Sequence, residues 1–329
     1  MALYGIRFDL RNPSFANTPM SERINAAIDM TEWADRHGFV VAVLSEHHGC
    51  EDGYLPSPLA LASAIAARTT EIRIQIAALV APLHDPLRLA EDAAIVDLIS
   101  RGRLDLVLTN GYVASEFAMF GRELSERPAR TTEAVETLRQ AWTGEPFEFR
   151  GRRARVTPRP HQDPGPPIWL GGSTPPAARR AARIADGFLP SSPELWDVYR
   201  KECVVLGKPD PGEHMGGDTS MFHLATDVEA GWAAIVPHAM HEVNAYGQWM
   251  VEAGLVGVGG YEPVSDPDVL RASGQYRVIT PAELVAEIKA KGPFGFSLFH
   301  PLMGGIPPEL GWESLRLFET EVLPHVQGD

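Results

Sequence analysis

The sequence predicts a (β/α)8 TIM barrel: eight parallel strands, each leading into helical material, in a single domain over residues 1–329. Three observations predict it. Short apolar runs rich in β-branched residues recur along the chain. Stretches with helical period separate them. The length of 329 residues suits eight such units, whereas a doubly wound open sheet would usually need fewer.

YGIRFDL (4–10) reads as the first strand. The helix SERINAAIDMTEWADRHG follows, with Ile24, Ala27, Ile28 and Ala34 on one face and Gly38 at the C-terminal cap. FVVAVL (39–44) is the second strand, and PLALASAIAARTT (58–70) is an Ala-rich helix with little polar surface. IRIQIAALV (72–80) is the third strand. Asp85-Pro86 then gives an N-cap and a proline at the first helical position, and that helix runs to Gly102. RLDLVL (103–108) is the fourth strand, and SERPARTTEAVETLRQAW (125–142) carries the fourth helix. A hairpin-like PFEFRGRRARV follows within an insertion of about 146–166. PIWLGG (167–172), GFLP (187–190) and DTSMFHLAT (218–226) are strands, alternating with the helices PPAARRAARIA and PELWDVYRKECVVLG. A long helical stretch runs from Glu229 to about Ala253. Residues 253–280 are Gly-rich, lack a clear period and read as a second insertion, between strands seven and eight. Their length suits a lid. PAELVAEIKAK is a helix, FGFSLFH (294–300) the eighth strand, and PELGWESLRLFETEVLPHV the last helix.

Composition narrows the function. Lys plus Arg is 29 against 43 Asp plus Glu, a net charge of −14, which argues against nucleic acid or an anionic membrane as the main partner. The run RGRRAR (150–155) reads as a solvated hairpin rim. No run is long enough to span a bilayer, and no secretory signal is visible at MALYGIRFDL. Two cysteines cannot form a disulfide framework, so a cytoplasmic location is expected.

A barrel of this kind works at the C-terminal ends of its strands. Those ends carry Asp9-Leu10-Arg11, Ser45-Glu46-His47-His48, Ala77-Ala78, Thr109-Asn110-Gly111, Gly171-Gly172-Ser173-Thr174, Pro190-Ser191-Ser192 and Phe299-His300. Adjacent strand residues face opposite ways, so Glu46 and His48 share a side and His47 does not. A catalytic zinc needs about three protein ligands, and no third partner stands out, so no metal is expected. Gly171 to Thr174 lie between a strand and a helix, where freed amides, hydroxyls and a helix N-terminus suit an anion. His300 is a weaker candidate for lining the pocket. Trp33, Trp142 and Trp312 lie in helices and read as packing residues.

SEHHG, the stretch from Ala77 to Gly121, RTTEAVETLRQAWTGE, PIWLGGS with ADGF, and LRLFETEVLPHV together resemble the bacterial luciferase-like flavin-dependent oxidoreductases. The resemblance spans nearly the whole chain. It implies a barrel with flavin at the strand C-termini and its phosphate near strand five. Luciferase and monooxygenase members take reduced FMN from a separate flavin reductase and use oxygen, through a flavin peroxide, on a small organic substrate. Others transfer hydride with a deazaflavin coenzyme, and some bind flavin without turnover.

Residue by residue, the resemblance makes His47 the acid–base histidine beside the flavin and places Glu46 at the cofactor. It implies a non-prolyl cis peptide between Ala77 and Ala78 under the ring. Gly171, Gly172, Ser173 and Thr174 fall in the phosphate segment, with Arg127 near the phosphate. Thr109, Asn110 and Gly111 fall at the end of strand four. There luciferase has a cysteine and a phosphate-gripping arginine in place of Thr109 and Asn110, so Arg127 and backbone amides must supply the grip. An acid carried after strand four by one deazaflavin branch is absent, with Tyr112 near its place. A luciferase-like monooxygenase is the leading expectation, as a homodimer through the apolar helices around 58–70 and 86–100.

Overall fold

A computed structural model describes residues 2–214, 221–256, 260–292 and 295–326. In chain order the strands are β1 (Leu3–Phe8), β2 (Val41–Leu44), β3 (Arg73–Val80), β4 (Leu104–Thr109), β5 (Phe147–Phe149), β6 (Arg152–Ala154), β7 (Ile168–Gly172), β8 (Gly187–Pro190), β9 (Met221–Leu224), β10 (Tyr276–Ile279) and β11 (Phe296–Phe299). The helices are α1 (Met20–Arg36), α2 (Pro58–Arg68), α3 (Pro86–Ser100), α4 (Ala114–Met119), α5 (Arg127–Ala141), α6 (Pro175–Ile184), α7 (Pro193–Val205), α8 (Val228–Glu252), α9 (Pro267–Ser273), α10 (Pro281–Lys291), α11 (Pro308–Leu317) and α12 (Leu323–Val326). All eight expected strands form, most of them shorter than the apolar runs that announced them. The expected strands at 218–226 and 294–300 begin on residues outside the described set.

The chain divides into two compact units. The first comprises residues 1–43, 50–56 and 217–329. In it β1 pairs in parallel with β11, placing Ile6 opposite Phe299. Tyr4, Trp33, Phe39, Phe299 and Phe318 pack edge to face behind this pair, and Trp312 joins Trp33, so both helical tryptophans are packing residues. Helix α8 starts at Asp227, whose carboxylate accepts from the N–H groups of Glu229 and Ala230. Its buried face, with Trp232, Ile235, Ala239 and Val243, packs on Met221, Leu270 and Tyr276.

The last contacts correct the reading of 253–280. The part from Pro267 to Ile279 forms α9 and β10, and β10 pairs in parallel with β9. Leu270 and Tyr276 are core residues, so this part is built into the unit rather than laid over it. Tyr276 and Ile279, three apart, are too few apolar positions to announce a strand beside so many glycines. Residues 257–259 of that stretch lie outside the described set.

The second unit comprises residues 44–49 and 57–216. It is a parallel sheet in the order β3-β4-β7-β8. Ile74, Ile76, Leu104, Leu106, Leu108, Ile168 and Leu170 are buried, every second residue along each strand, so these side chains share one face of the sheet. Asp85 caps α3 by accepting from the N–H groups of Leu87 and Arg88. The helix ends at Arg101, with φ 57, and Gly102, with φ 87. Arg103 donates to the carbonyls of Ala66, Thr69, Ile72 and Ser100, so the Ser100–Arg103 landmark is structural. The hairpin forms as β5 and β6, paired antiparallel. Trp142 donates its indole N–H to the Ala90 carbonyl.

Candidate active site

The Ser45–His48 segment leaves β2 in the second unit. Ser45 Oγ donates to the Ala77 carbonyl at 2.8 Å. The expected alternation holds for the next three residues. His47 Nδ1 lies 2.8 Å from Glu116 Oε1, while Glu46 and His48 face each other, 3.2 Å apart. Glu116 Oε1 also accepts the backbone N–H of His48 at 2.8 Å. Neutral His47 that donates from Nδ1 presents Nε2 as a proton acceptor, so Glu116 sets both the ring's orientation and its tautomer. The Tyr112 ring stands edge-on to His47, 6.1 Å between centroids.

The sequence reading missed Glu116. It sits in α4, a six-residue helix too short to show a period. The available signal was a carboxylate beside Phe117 on the same turn as a buried apolar residue.

Glu46 is buried, and protein groups occupy both of its carboxylate oxygens. Oε1 meets His84 Nε2 at 2.7 Å, and Oε2 accepts the Val80 N–H. Burial alone would push this carboxyl up, but hydrogen bonds from His48, His84 and Val80 bring it down to about 2. Burial lowers the pKa of His84, but its hydrogen bond to the Glu46 carboxylate and the charge there outweigh this and raise it. Ser45 and Glu46 thus tie down both ends of the segment from Ala77 to Val80. This gives Glu46 a wall-building place in the turn. The third potential metal ligand that the sequence reading could not find is His84: donor atoms of Glu46, His48 and His84 lie within 4.8 Å of one another. Glu46 Oε1 meets both imidazoles, His84 through a hydrogen bond at 2.7 Å and His48 through a contact at 3.2 Å.

The peptide bond between Ala77 and Ala78 is cis, and the β3–β4 register shifts between Ala77 and Leu79. Strand β4 ends at Thr109. Asn110 Oδ1 accepts from Thr131 Oγ1 at 2.8 Å and from Arg180 Nη1 at 3.3 Å. Gly111 has φ 71, and a Cβ there would come within 2.6 Å of Val80 Cγ1, so only glycine fits. Arg127 donates to the Gly111 carbonyl at 2.7 Å and to the Leu124 carbonyl at 2.8 Å.

The turn after β7 differs from expectation in one respect. Pro175 and Pro176 open α6 and carry no N–H, while the Ala177 N–H is capped by the Thr174 hydroxyl at 3.4 Å. The helix start therefore offers few amides to an anion. The turn keeps the Ser173 and Thr174 hydroxyls and open space: a Cβ on Gly171 would meet nothing closer than 3.8 Å. At Gly172 a Cβ would sit 2.6 Å from Ala177 Cβ, so the turn packs closely on α6 there. Hydroxyls, guanidiniums on two helices and room beside Gly171 fit a phosphate.

The first unit holds a separate buried polar network. Arg11 pairs with Asp52 at 2.5 Å, and its guanidinium lies over the rings of Tyr54, Tyr246 and Trp249 at 4.8–4.9 Å. His241 joins Asp52 at 2.7 Å. Burial, followed by the nearby Asp9, raises the Glu242 carboxyl to about 8. His300 belongs to this network, with Nε2 3.7 Å from Asp9, and burial lowers its pKa to about 4.

The parallel sheet, the Glu-His-His turn and the cis Ala-Ala bond are the features that the family resemblance implied. The chain belongs to the luciferase-like monooxygenase family, whose profile matches residues 6–203. The oxygenase component of the flavin-dependent trigonelline monooxygenase of Acinetobacter baylyi is 30% identical, over 90% of this chain and 88% of that protein. The crystal structure of monooxygenase RslO1 from Streptomyces bottropensis superposes with a TM-score of 0.75 at 29% identity, covering 98% of this chain and 99% of that one. Relatives also include the F420-dependent glucose-6-phosphate dehydrogenase of Amycolatopsis mediterranei, 31% identical over 48% of this chain and 50% of the enzyme. The chain spans 47% of the uncharacterized protein y4vJ of Sinorhizobium fredii, at 33% identity.

Proposed function

We propose that the chain is a monooxygenase that takes reduced FMN from a separate reductase and uses oxygen on a small organic substrate. The observation that carries the reading is the His47–Glu116 pair, reached through the same turn whose Ser45 holds the cis Ala77. When bound, reduced FMN supplies the electrons for oxygen chemistry. Ser173, Thr174 and Arg127 hold its phosphate, with Gly171 leaving room for it. Ala77-Ala78 and Thr109–Gly111 line the cofactor. His47 accepts or returns a proton at Nε2, a task that suits imidazole near neutral pH. Glu116 keeps that nitrogen available, and Glu46 keeps the wall around it fixed through His84 and Val80. A flavin carrier without turnover has no need of a buried carboxylate that sets the histidine's tautomer.

The second reading is hydride transfer with a deazaflavin coenzyme, favoured by the F420-dependent relative. The chain has a fold of the (β/α)8 type, with one insertion at about 146–166 that carries the β5–β6 hairpin. It works in the cytoplasm, consistent with the lack, among the described residues, of a helix long and apolar enough to cross a membrane. It pairs as a homodimer across α2 and α3. Ile95, Leu98 and Ile99 of α3 are 43%, 37% and 41% exposed, an apolar face that a second copy would cover. Titration with FMN and with the deazaflavin, followed by oxygen uptake on supplying reduced FMN, tests the reading. Binding of the deazaflavin alone would transfer the assignment to the hydride branch.

A further inference from the structure

We infer that Arg180 is the second cationic arm of the cofactor's phosphate site, and that with Arg127 it selects a flavin ending in a phosphomonoester. This rests on the proposed function, and it names a residue and a selectivity that the resemblance did not supply.

In a chain of net charge −14, guanidiniums have many carboxylates to choose from. Arg179 and Arg183, the neighbours of Arg180 on α6, both pair with Glu202, at 3.9 and 3.3 Å. Arg180 has no carboxylate within ion-pair distance among the described residues, and neither does Arg127. Both are partly buried and spend their contacts on neutral oxygens. Arg180 reaches Asn110 Oδ1, and Arg127 reaches the Gly111 carbonyl. Two guanidiniums from two helices therefore converge on consecutive residues at the end of β4. Burial lowers the pKa of both, with Arg183 adding to the effect at Arg180, which is a setting that a bound anion would relieve.

The residue at 110 fits this arrangement. An arginine there would confront Arg180 with a like charge, whereas Asn110 offers it an acceptor. The proline pair at 175–176 removes amides from the helix start, so side chains must supply the positive charge. Strand β4 adjoins β7, and Thr109 Cβ lies 3.8 Å from where a Gly171 Cβ would be. The residue that precedes both contact points, Thr109, thus adjoins the open turn. A phosphomonoester carries about −1.5 to −2 at pH 7. Two guanidiniums match it, while a phosphodiester, as in a deazaflavin coenzyme, carries only one charge.

The test measures dissociation constants of oxidised FMN and of riboflavin for the wild type, Arg180→Ala and Arg180→Lys. The wild type should bind FMN much more tightly than riboflavin. Arg180→Ala should weaken FMN by roughly 10- to 100-fold, the scale of a lost charge-assisted contact, and leave riboflavin within about two-fold. Arg180→Lys should fall between, because it keeps the charge without the fork, and it stands in for the alanine variant if that one misfolds. A wild-type FMN-to-riboflavin ratio that survives in both variants overturns the role of Arg180 while leaving the flavin reading intact. A wild type that binds FMN and riboflavin equally overturns the clamp. A wild type that binds no flavin overturns both.

Discussion

Replacing Glu116 with glutamine is the most informative single change in the site. The side chain keeps its shape but loses its charge. In the structure one carboxylate oxygen accepts two N–H groups, from His47 Nδ1 and from the His48 backbone, each at 2.8 Å. A glutamine oxygen in that place accepts the same two N–H groups, and its N–H2 takes the position of Oε2, so the change removes the charge and leaves the contacts. The partner that favours a protonated His47 is then neutral. A hydrogen bond to a charged group contributes about 1.5–3 kcal/mol and a neutral one about 0.5–1.5 kcal/mol, so a loss of stability of about 1 kcal/mol is expected. Turnover should fall by roughly 10- to 100-fold, since the charge behind the histidine is lost. The assay pairs FMN affinity with the single-turnover rate at which oxygen reoxidises bound reduced FMN. Glu116→Gln should keep FMN affinity within a few-fold. A folded variant with wild-type turnover would show that His47 does not depend on this partner.

Other changes probe other parts of the account. His47→Ala should retain FMN binding within a few-fold and lose roughly 10²-fold in turnover, read by the same pair of measurements. Glu242 titrates near 8 in the folded chain against 4.5 for an ordinary glutamate. The native state therefore holds the extra proton between those values, and stability should fall as pH rises from about 4.5 to 8. The slope is at most about 1.4 kcal/mol per pH unit, and denaturant melts of Glu242→Gln should flatten it. Light scattering should give a dimer at micromolar concentration, and Leu98→Glu on the exposed face of α3 should shift it to monomer.

The fold was legible where apolar residues recur at every second position. IRIQIAALV and RLDLVL announce β3 and β4 through Ile72, Ile74 and Ile76 and through Leu104, Leu106 and Leu108. Strand β10 was not legible, since YRVI is short and follows a Gly-rich stretch whose period is lost. In the site, the motif placed Glu46, His47, Ala77 and Ala78, but their partners were hidden. Glu116 and His84 lie 69 and 38 residues from the residues they bind. Such pairs are made by the sheet, not by spacing. Arg180 looked like Arg179 and Arg183, because helical period cannot tell an arginine with a carboxylate neighbour from one without. The turn at 171–174 was recognised, but its amides were overestimated: prolines at a helix start mark the boundary and at the same time remove its donors.

The central claim is that this chain is built for reduced FMN and oxygen. It is tested most directly by anaerobic titration with reduced FMN and, in parallel, with the reduced deazaflavin coenzyme, followed by mixing each complex with oxygenated buffer. The account predicts saturable binding of reduced FMN by the wild type and oxygen consumption that slows when His47 is replaced by alanine. No binding of reduced FMN, with saturable binding of the deazaflavin and no oxygen consumption, would contradict it.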